Sequence, residues 1–468
     1  MSKKEKFVIG DEGITDARKL GTGRMLVLGF QHMFAMFGAT VLVPLLTGLD
    51  VATTLLMAGL GTLFFHFISK GKVPAFLGSS FAFLGGYAAV APMLGENGDI
   101  PNKEMLPYAC LGVACAGLVY LVLAGLIKLV GINKVMKFFP PVVTGPIIIA
   151  IGLGLSGSAV NNCSSNWPLA LIALAIVIVF NIWGKGMLKI IPILLGVIGS
   201  YLVALIVGNG FGVESWAIDF TGVKEAAWIG LPIYKNSTIL GIDWSQTGTI
   251  IGAIIAIVPI ALATMMEHIG DISAIGATVG KNFIKDPGLH RTLIGDGLAT
   301  SISAVFGGPA NTTYGENTGV LALSKVYDPR VIRIAAVIAA LLSFSPKFAA
   351  LVSSIPTAVI GGISFVLYGM ISAIGVRNVV EAKVDFTKSR NLIVAAVILV
   401  CALGLGSAAT FTIGNVTIAL SALAVASIAG IVLNAILPGK DFVFEKEEEA
   451  PAEAPVEAAP AEEAPAAE

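Results

Sequence analysis

Charged residues are scarce in this chain of 468 residues, where Asp, Glu, Lys and Arg make up 13% and hydrophobic residues 56%. Soluble domains are about one-quarter charged, so this composition excludes an ordinary soluble protein. Apolar runs such as 170–180, 392–406 and 416–437 are long enough, with their neighbours, to cross a hydrocarbon core of about 30 Å as helices. The sequence therefore predicts an integral membrane protein.

Cysteine is rare as well, and the motifs of common enzymes are missing. Cys110, Cys115, Cys163 and Cys401 have no metal-ligand spacing, and mostly fall in apolar runs where a thiol packs as a small hydrophobic group. We find no His-x-x-x-His pair for zinc, no G-x-S-x-G elbow and no phosphate-binding loop. These absences disfavour an intramembrane enzyme, and we expect no metal, no cofactor and no nucleic-acid partner.

Apolar runs separated by Gly, Pro and charged residues predict fourteen membrane spans. Their bounds are 23–48, 51–70, 76–93, 105–130, 138–157, 168–184, 189–208, 246–270, 289–306, 309–325, 329–353, 356–376, 390–407 and 415–437. With the N-terminus inside, 25 of the 29 Lys and Arg residues lie on the cytoplasmic side, as the positive-inside rule requires. Residues 1–22 are polar and predict no cleaved signal peptide, so the first span is expected to direct insertion.

This topology predicts five segments in the cytoplasmic (inner) membrane, with both termini in the cytoplasm. They are an N-terminal segment 1–22, a seven-span repeat 23–208, an external connection 209–245, a second seven-span repeat 246–437 and a tail 438–468. The tail is rich in Glu, Ala and Pro and has little to bury, which is typical of disorder.

Two pairs of matching segments indicate that the halves are homologous. "QHMF", which begins at Gln31, matches "EHIG", which begins at Glu267, each within the first span of its half. "FPPVVTGPIII" at 139–149 matches "IPTAVIGGISF" at 355–365, each at the start of a fifth span. Because seven spans is an odd number, the second repeat must be inverted relative to the first.

Spans 3 and 10 are interrupted by Gly, Ser and Thr, at 76–86 and 308–319. The two interruptions occupy equivalent places in their repeats, and broken spans at equivalent places are typical of a binding site. Because unpaired peptide groups are costly in lipid, we expect two short antiparallel strands that pair with each other and lead into half-helices. The alternative, that these glycines only allow close helix packing, does not explain a buried Glu at 316.

Several segments together resemble the bacterial uracil permeases of the nucleobase-ascorbate transporter (nucleobase:cation symporter-2) family. They are "QHMFAMFGATVLVPLL", "GKVPAFLGSSFAF", "EHIGD", "KDPGLHRTLIGDGLAT", "GGPANTTYGENTGV" and "LYGMISAIGVRNVVEAKVDF". The resemblance covers about residues 20–437. The family signature is present as "ENTGVLALSK", in which Ser324 stands where the family usually has Thr.

The resemblance implies a substrate site at the interrupted spans. Glu316 matches the uracil permeases, whereas xanthine and urate permeases carry Gln, and a carboxylate suits the N–H edge of uracil because it only accepts hydrogen bonds. Glu267 and Glu316 would accept from the ring, while backbone N–H groups of Phe81 and Gly315 would donate to its carbonyls. The implied substrate-binding residues are Ser80, Phe81, Glu267, Tyr314, Gly315, Glu316 and Tyr368, with Gln31, His32 and Asn317 in support.

The resemblance also implies two domains and a homodimer. The core domain would contain spans 1–4 and 8–11, and the gate domain spans 5–7 and 12–14, with Tyr368 approaching the substrate from the gate side. The expected function is proton-coupled uptake of uracil, with the core moving against the gate. A xanthine or other purine permease on the same fold is the alternative.

Two other classes of transport protein are disfavoured by the residues themselves. An anion carrier is expected to place a cation at the broken spans, and 76–86 and 309–320 contain none. A channel needs a ring or row of like ligands, whereas the polar groups here converge on two short interruptions.

Three carboxylates are candidates for carrying the proton. Glu316 opens a predicted half-helix, whose dipole favours the anion. Glu267 lacks that help, and Asp271 follows at i+4 on the same face, where two like charges resist joint ionisation. We therefore expect Glu267, alone or sharing a proton with Asp271, to be the coupling group. Relatives carry His at the Asp271 position, and in the alternative Asp271 is simply hydrated at the cytoplasmic interface.

His268 follows Glu267 directly but lies about 100° away round a helix. It is therefore expected to face a neighbouring helix and not the substrate.

Overall fold

The computed structural model describes residues 13–95, 100–234, 238–405, 409–413 and 416–440. The side chains of Ile190, Glu316 and residues 409–419 are outside this description. Most of the predicted cytoplasmic tail and the first part of the N-terminal segment also lie outside the described residues.

The described chain is mainly helical. The first half contains α1 Thr22–Thr47, α2 Val51–Ile68, β1 Leu77–Ser79, α3 Leu84–Val90, α4 Leu106–Val130, α5 Ile132–Met136, α6 Pro141–Gly154, α7 Ser156–Ser164, α8 Trp167–Trp183, α9 Met187–Ile190 and α10 Pro192–Ala204. The connection that was predicted to be external contains α11 Thr221–Glu225. The second half contains α12 Thr247–Ile257, α13 Ala261–Val279, α14 Leu289–Val305, β2 Asn311–Thr313, α15 Gly315–Ser324, α16 Pro329–Leu342, α17 Pro346–Ser353, α18 Thr357–Glu381, α19 Ser389–Gly404, β3 Ala409–Ile413, β4 Val416–Leu420 and α20 Ala422–Ile436.

Seven helical stretches in the described residues are long and apolar enough to cross a membrane, or eight if the bent pair α16 and α17 forms one span. Three further apolar helices, α8, α19 and α20, are shorter. Predicted span 289–306 is the single helix α14, whereas predicted spans 76–93 and 309–325 each contain a short strand followed by a short helix. The total of fourteen spans stays a prediction.

Helices α4 and α14 cross at very close range because two glycines face each other. A Cβ atom added to Gly117 would lie 2.4 Å from the carbonyl oxygen of Gly297, and one added to Gly297 would lie 2.5 Å from that of Gly117. The Ser301 hydroxyl donates to the Ala114 carbonyl at 2.8 Å across the same contact. Small residues of this kind let membrane helices approach until their backbones touch.

Helices α6 and α18 form a second contact of the same kind. A Cβ atom added to Gly152 would lie 2.2 Å from the Tyr368 carbonyl oxygen, and the Ser372 hydroxyl donates to the Ile149 carbonyl at 3.0 Å. Helix α19 packs on α6 and α20, while α1 and α2 pack on α16. The helices therefore fall into two groups, one around α4, α14 and α16 and the other around α6, α18 and α19.

The two polar interruptions contain β1 and β2, which pair antiparallel over three residues each. The pairing continues at both ends. The Tyr314 amide donates to the Phe76 carbonyl at 3.0 Å, and the Ser80 amide donates to the Ala310 carbonyl at 2.9 Å. The backbone groups of each strand thus form hydrogen bonds with those of the other strand, so that they are not left unpaired against lipid.

Side chains of α2 and α14 satisfy the outer edges of this strand pair. The Thr62 hydroxyl accepts from the Leu77 amide at 2.9 Å, and the Asn311 side-chain amide donates to the Met57 carbonyl at 3.1 Å. The Thr300 hydroxyl donates to the Asn311 carbonyl at 2.7 Å. The strands are therefore fixed by hydrogen bonds to helices on both sides.

The predicted span 329–353 is two helices that meet at an angle of 90°. The break falls between Leu342 and Pro346, where the Ser345 side chain accepts from the Phe348 amide. A Ser at the N-cap followed by Pro in the first helical position starts a new helix, so the predicted span is bent at this point.

The predicted span 138–157 was wrong at its C-terminal end. Its helix begins only at Pro141, and α7 continues the helical path to Ser164 through the polar sequence "SGSAVNNCS". Proline at the first helical position sets the start. The polar end was missed because hydropathy alone does not mark a helix that lines a cavity.

The predicted span 415–437 was also wrong at its start. Residues Val416–Leu420 form β4, which pairs antiparallel with β3, and the helix begins only at Ala422. The segment is rich in β-branched residues, and the two-residue Gly-Asn connection at 414–415 is a hairpin signal. We predicted an all-α fold with strands only in spans 3 and 10. The pair β3 and β4, which lies directly before α20, shows that strands occur outside those two spans.

Candidate binding site

Gly315 is the first residue of α15 and faces open space. A Cβ atom added there would meet its nearest neighbour, Asp271 Oδ1, only at 4.0 Å. The protein therefore does not need glycine at this position for its own packing. Glu316 is the next residue of the helix, and its side chain lies outside the described part of the structure.

Asp271 lies beside the start of α15. Its Oδ2 atom accepts a hydrogen bond from the Thr313 hydroxyl at 2.8 Å, and the side chain is partly buried. This contact joins α13 to the last residue of β2, and a role for Asp271 in proton coupling stays a prediction. Glu267, one turn earlier in α13, is also partly buried.

Phe81 and Tyr368 meet edge to face, with ring centroids 6.2 Å apart and an interplanar angle of 72°. Phe81 follows β1, and Tyr368 lies in the middle of α18. Both side chains line a cavity of about 640 Å³ between α3, α6, α7 and α18. Among the described residues, the lining of this cavity does not include Glu267 or Gly315.

Tyr314 is directed back into the protein. Its hydroxyl donates to the Ser79 carbonyl at 2.9 Å and accepts from the Thr40 hydroxyl at 3.4 Å, and the side chain is buried. The ring lies against Gly78, where an added Cβ atom would come within 2.5 Å of it. The hydroxyl therefore holds the strand pair, and contact between the ring and a substrate stays a prediction.

His32 and Asn317 connect α1 to α15. The Asn317 side-chain amide donates to His32 Nδ1 at 3.2 Å and to the His32 carbonyl at 3.1 Å, and both residues are buried. Since Asn317 follows Glu316 directly, this contact fixes the first turn of α15. Gln31, the residue before His32, is half-buried.

Ser80 lies between β1 and Phe81 and is buried. Its hydroxyl has no hydrogen-bond partner within the described part of the chain. The Ser80 hydroxyl is therefore a buried polar group near the cavity, and the described residues give it no hydrogen-bond partner.

His268 faces α14, as the sequence analysis predicted, and there it meets Asp296. The two side chains are fully buried, with His268 Nδ1 3.2 Å from Asp296 Oδ2. The edge of the Phe65 ring packs against the imidazole, at 6.2 Å between centroids. Sequence reasoning missed Asp296, although a carboxylate within an apolar span is itself a signal.

The structure thus brings the predicted residues together in three small groups. Asp271 lies with Thr313 and Gly315, His32 lies with Asn317, and Phe81 lies with Tyr368. The strand pair connects the groups, because Phe81 follows β1 by two residues and Gly315 follows β2 by two residues.

Known proteins resemble this chain in both sequence and fold. A sequence model described as "Permease family" matches residues 23–413. The chain belongs to this permease family. The permease is 42% identical over 431 residues to the "Uracil permease" of Bacillus caldolyticus, and the alignment covers 89% of this chain and 93% of that protein. It is also 42% identical over 421 residues to the "Uracil permease" of Bacillus subtilis (strain 168), covering 87% and 91%.

Solved structures show that the permease shares its fold with a membrane transporter. The transmembrane domain of a cyanobacterium bicarbonate transporter, BicA, aligns with a TM-score of 0.56 at 16% identity, covering 82% of this chain and 95% of that domain. Together with the long apolar helices, these similarities establish the permease as a multi-pass membrane protein.

Proposed function

We propose that this permease carries uracil into the cell by proton symport. Similarity to two proteins named uracil permease, each along nearly nine-tenths of the chain, is the observation that carries the substrate. Glu316 supports it chemically, because a carboxylate can only accept hydrogen bonds and uracil has two ring N–H groups. The permease acts in the inner membrane with both termini in the cytoplasm.

The substrate lies in front of Gly315, between the starts of two half-helices. The open space at Gly315 supports this position, since the backbone N–H of a helix start is free to donate. The substrate's ring packs against Phe81, Ser80 lies next to it, and Tyr368 closes the site from α18. Glu267 and Glu316 accept hydrogen bonds from the ring.

The core domain comprises spans 1–4 and 8–11, and the gate domain comprises spans 5–7 and 12–14, in two inverted repeats of seven. The two groups of helices around α4 and α14 and around α6 and α18 support this division. Uracil crosses when the core moves against the gate, and the cavity beside Phe81 and Tyr368 is its path of entry. Two chains form a homodimer.

Glu267 carries the proton, alone or shared with Asp271. The hydrogen bond from Thr313 to Asp271 supports a link between this pair of carboxylates and the substrate helix. A proton on Glu267 lets α13 face the site without a second negative charge close to Glu316.

Uptake of labelled uracil tests the function. Cells that lack their own carrier are supplied with this chain, and xanthine, hypoxanthine, cytosine and urate are offered as competitors. We expect uracil to accumulate and to be displaced only by close pyrimidine analogues. Competition by xanthine at equal concentration would assign the permease to purines.

The variant Glu316→Gln tests the site within the same assay. It replaces an accepting oxygen by a donor and should remove uracil binding in calorimetry, because an unmet hydrogen bond in a dry site costs about 1–3 kcal/mol or more. Glu381→Gln, at an exposed carboxylate of α18, is the matched control and should bind normally. Normal binding by Glu316→Gln would remove this residue from the site.

A further inference from the structure

A second cavity, of about 530 Å³, lies where α2 and α13 end and α16 begins. Its charged lining residues are Lys72, Lys281, Arg330, Arg333, Asp286 and Asp328. The four cations outnumber the two carboxylates, so the cavity carries net positive charge. It is separate from the proposed uracil site.

Two of these cations are neutralised by the protein and two are not. Lys72 pairs with Asp286, and Arg330 Nη1 lies 2.9 Å from Asp16 and 3.2 Å from Asp328. Lys281 and Arg333 form no ion pair within the described residues, and the Arg333 Nε atom is buried without a hydrogen-bond partner there. The cavity therefore offers two uncompensated cations to an anionic ligand.

The end of this chain has the complementary charge. Residues 441–468 contain ten of the 30 acidic residues and one of the 29 basic residues, which leaves 28 basic and 20 acidic residues in 1–440. Three consecutive carboxylates, Glu447 to Glu449, lie close to the start of this segment. Excess negative charge is thus concentrated in the tail, and excess positive charge in the rest of the protein.

The tail begins on the same face as the cavity. By the predicted span order, the connections after spans 2, 8 and 10, which line the cavity, lie on the same side as the chain after span 14. Asn434, in the last turns of α20, donates to the Lys137 carbonyl at 3.0 Å, in the connection after span 4 on that side. A chain of 28 residues would span about 30 Å (root mean square) as a random coil and reach about 95 Å when fully extended, which is enough to cross the molecule.

We propose that the acidic tail, residues 441–468, docks in this cavity through glutamate carboxylates held by Lys281 and Arg333. Arginine binds carboxylates through paired hydrogen bonds, and charge-assisted bonds of this kind are about twice as strong as neutral ones. The tail is tethered, so its effective concentration at the cavity is about millimolar and even a weak contact is occupied. Because the tail follows α20 and the cavity lies among α2, α13 and α16, docking connects the two groups of helices.

Peptide binding tests the proposal. A fluorescent peptide with the sequence of residues 441–468 is titrated against the chain truncated after Lys440, in phosphatidylcholine nanodiscs, and binding is followed by anisotropy. We expect saturable binding that weakens as salt is raised, because the contacts are ionic. The affinity of the full-length chain for the same peptide should be lower by about tenfold or more, because its own tail occupies the cavity.

Charge reversal locates the docking site. Lys281→Glu with Arg333→Glu should weaken peptide binding by about tenfold or more, the factor that corresponds to one charge-assisted hydrogen bond. A peptide with Lys in place of Glu447, Glu448 and Glu449 should recover binding to this variant. If the reversed variant is unstable, Lys281→Gln with Arg333→Gln is the milder replacement.

The matched control is Lys128→Glu with Lys134→Glu, two exposed lysines in the last turn of α4 and in α5. Equal loss of binding in this control would show general charge attraction and overturn the proposal. Equal peptide binding by full-length and truncated chains would also overturn it.

Discussion

Gly315 is the residue whose replacement separates binding from folding most cleanly. Gly315→Val should abolish uracil binding and uptake, because its methyl groups would fill the space in front of the helix start that we assign to the substrate. The fold should be unchanged, since an added Cβ atom has no neighbour closer than 4.0 Å. Binding is measured by calorimetry and folding by chromatography in detergent.

Gly125→Val is the control for this prediction. Gly125 lies in α4, where an added Cβ atom likewise meets no heavy atom within 4 Å. This variant should both fold and transport. A Gly315→Val protein that also folds and transports would show that the substrate does not lie against this backbone.

Glu267 is the residue whose replacement should separate binding from coupling. Glu267→Gln mimics the protonated side chain, so it should keep appreciable uracil binding and exchange while losing accumulation driven by a proton gradient. The measurement uses proteoliposomes, with exchange and gradient-driven uptake followed in parallel.

Glu381→Gln is again the control for loss of a carboxylate and should accumulate uracil normally. Accumulation by Glu267→Gln in response to an inward proton gradient would move the coupling to another group. Glu316 and His32 would then be tested next.

His268 and Asp296 form a fully buried pair that is expected to hold α13 against α14. Replacing one partner leaves the other buried without its contact. For buried pairs this lowers the free energy of unfolding by about 3–5 kcal/mol. Asp296→Ala and His268→Ala should each lower the melting temperature of the purified protein. The double variant should be less destabilised than the sum of the two, because the contact can be lost only once. Additive losses would show that the two side chains do not interact.

At the scale of elements, Asp328 joins the N-terminal segment to α16. One carboxylate oxygen accepts from the Ala17 amide at 2.8 Å, and the other accepts from the Arg330 amide at the start of α16 at 2.9 Å. Asp328→Ala should release the segment that contains Arg18 and Lys19, because a lost N-cap and its bond cost about 1–2 kcal/mol. Trypsin should then cleave after these residues faster than in the unmodified protein.

Asp243→Ala is the control for this prediction. Asp243 accepts from the Ser245 amide in an exposed turn of the connection before α12, far from the N-terminal segment in the chain. Cleavage at Arg18 and Lys19 should be unchanged in this variant. An unchanged rate in Asp328→Ala would show that residues 13–20 are held without the carboxylate.

At the scale of the whole molecule, α1 and α10 meet across the proposed boundary between core and gate. A Cβ atom added to Gly38 would lie 3.2 Å from Ile193 Cβ, a few tenths of an ångström shorter than the range of about 3.5–4.5 Å found in disulfides. In a protein with its four cysteines replaced by alanine, oxidation of Gly38→Cys with Ile193→Cys should stop uptake by locking the two groups of helices. Uptake should return on reduction.

A crosslink within one group of helices is the control. A Cβ atom added to Gly29 in α1 would lie 2.9 Å from Ile334 Cβ in α16, and both helices belong to the proposed core. Oxidised Gly29→Cys with Ile334→Cys should therefore transport normally. Full uptake by the oxidised Gly38 and Ile193 pair would contradict movement of the core against the gate.

The sequence alone determined the features that depend on composition and local order. Scarce charge and long apolar runs predicted a membrane protein, because only apolar side chains are stable against lipid. The Gly, Ser and Thr interruptions marked where β1 and β2 lie, since a run of such residues disfavours a long apolar helix facing lipid. Local signals for the break at Ser345 and Pro346 and for the Gly-Asn hairpin were present too, but apolar neighbours obscured them.

Only the tertiary structure decided which side chains meet. Thr313 reaches Asp271 across 42 positions of the chain, and Asn317 reaches His32 across 285. Tyr314 turns toward Ser79, and His268 meets Asp296, because α13, α14 and the strand pair pack closely around small residues. Contacts of this kind depend on distances between elements that are far apart in sequence, and no local pattern of residues specifies those distances.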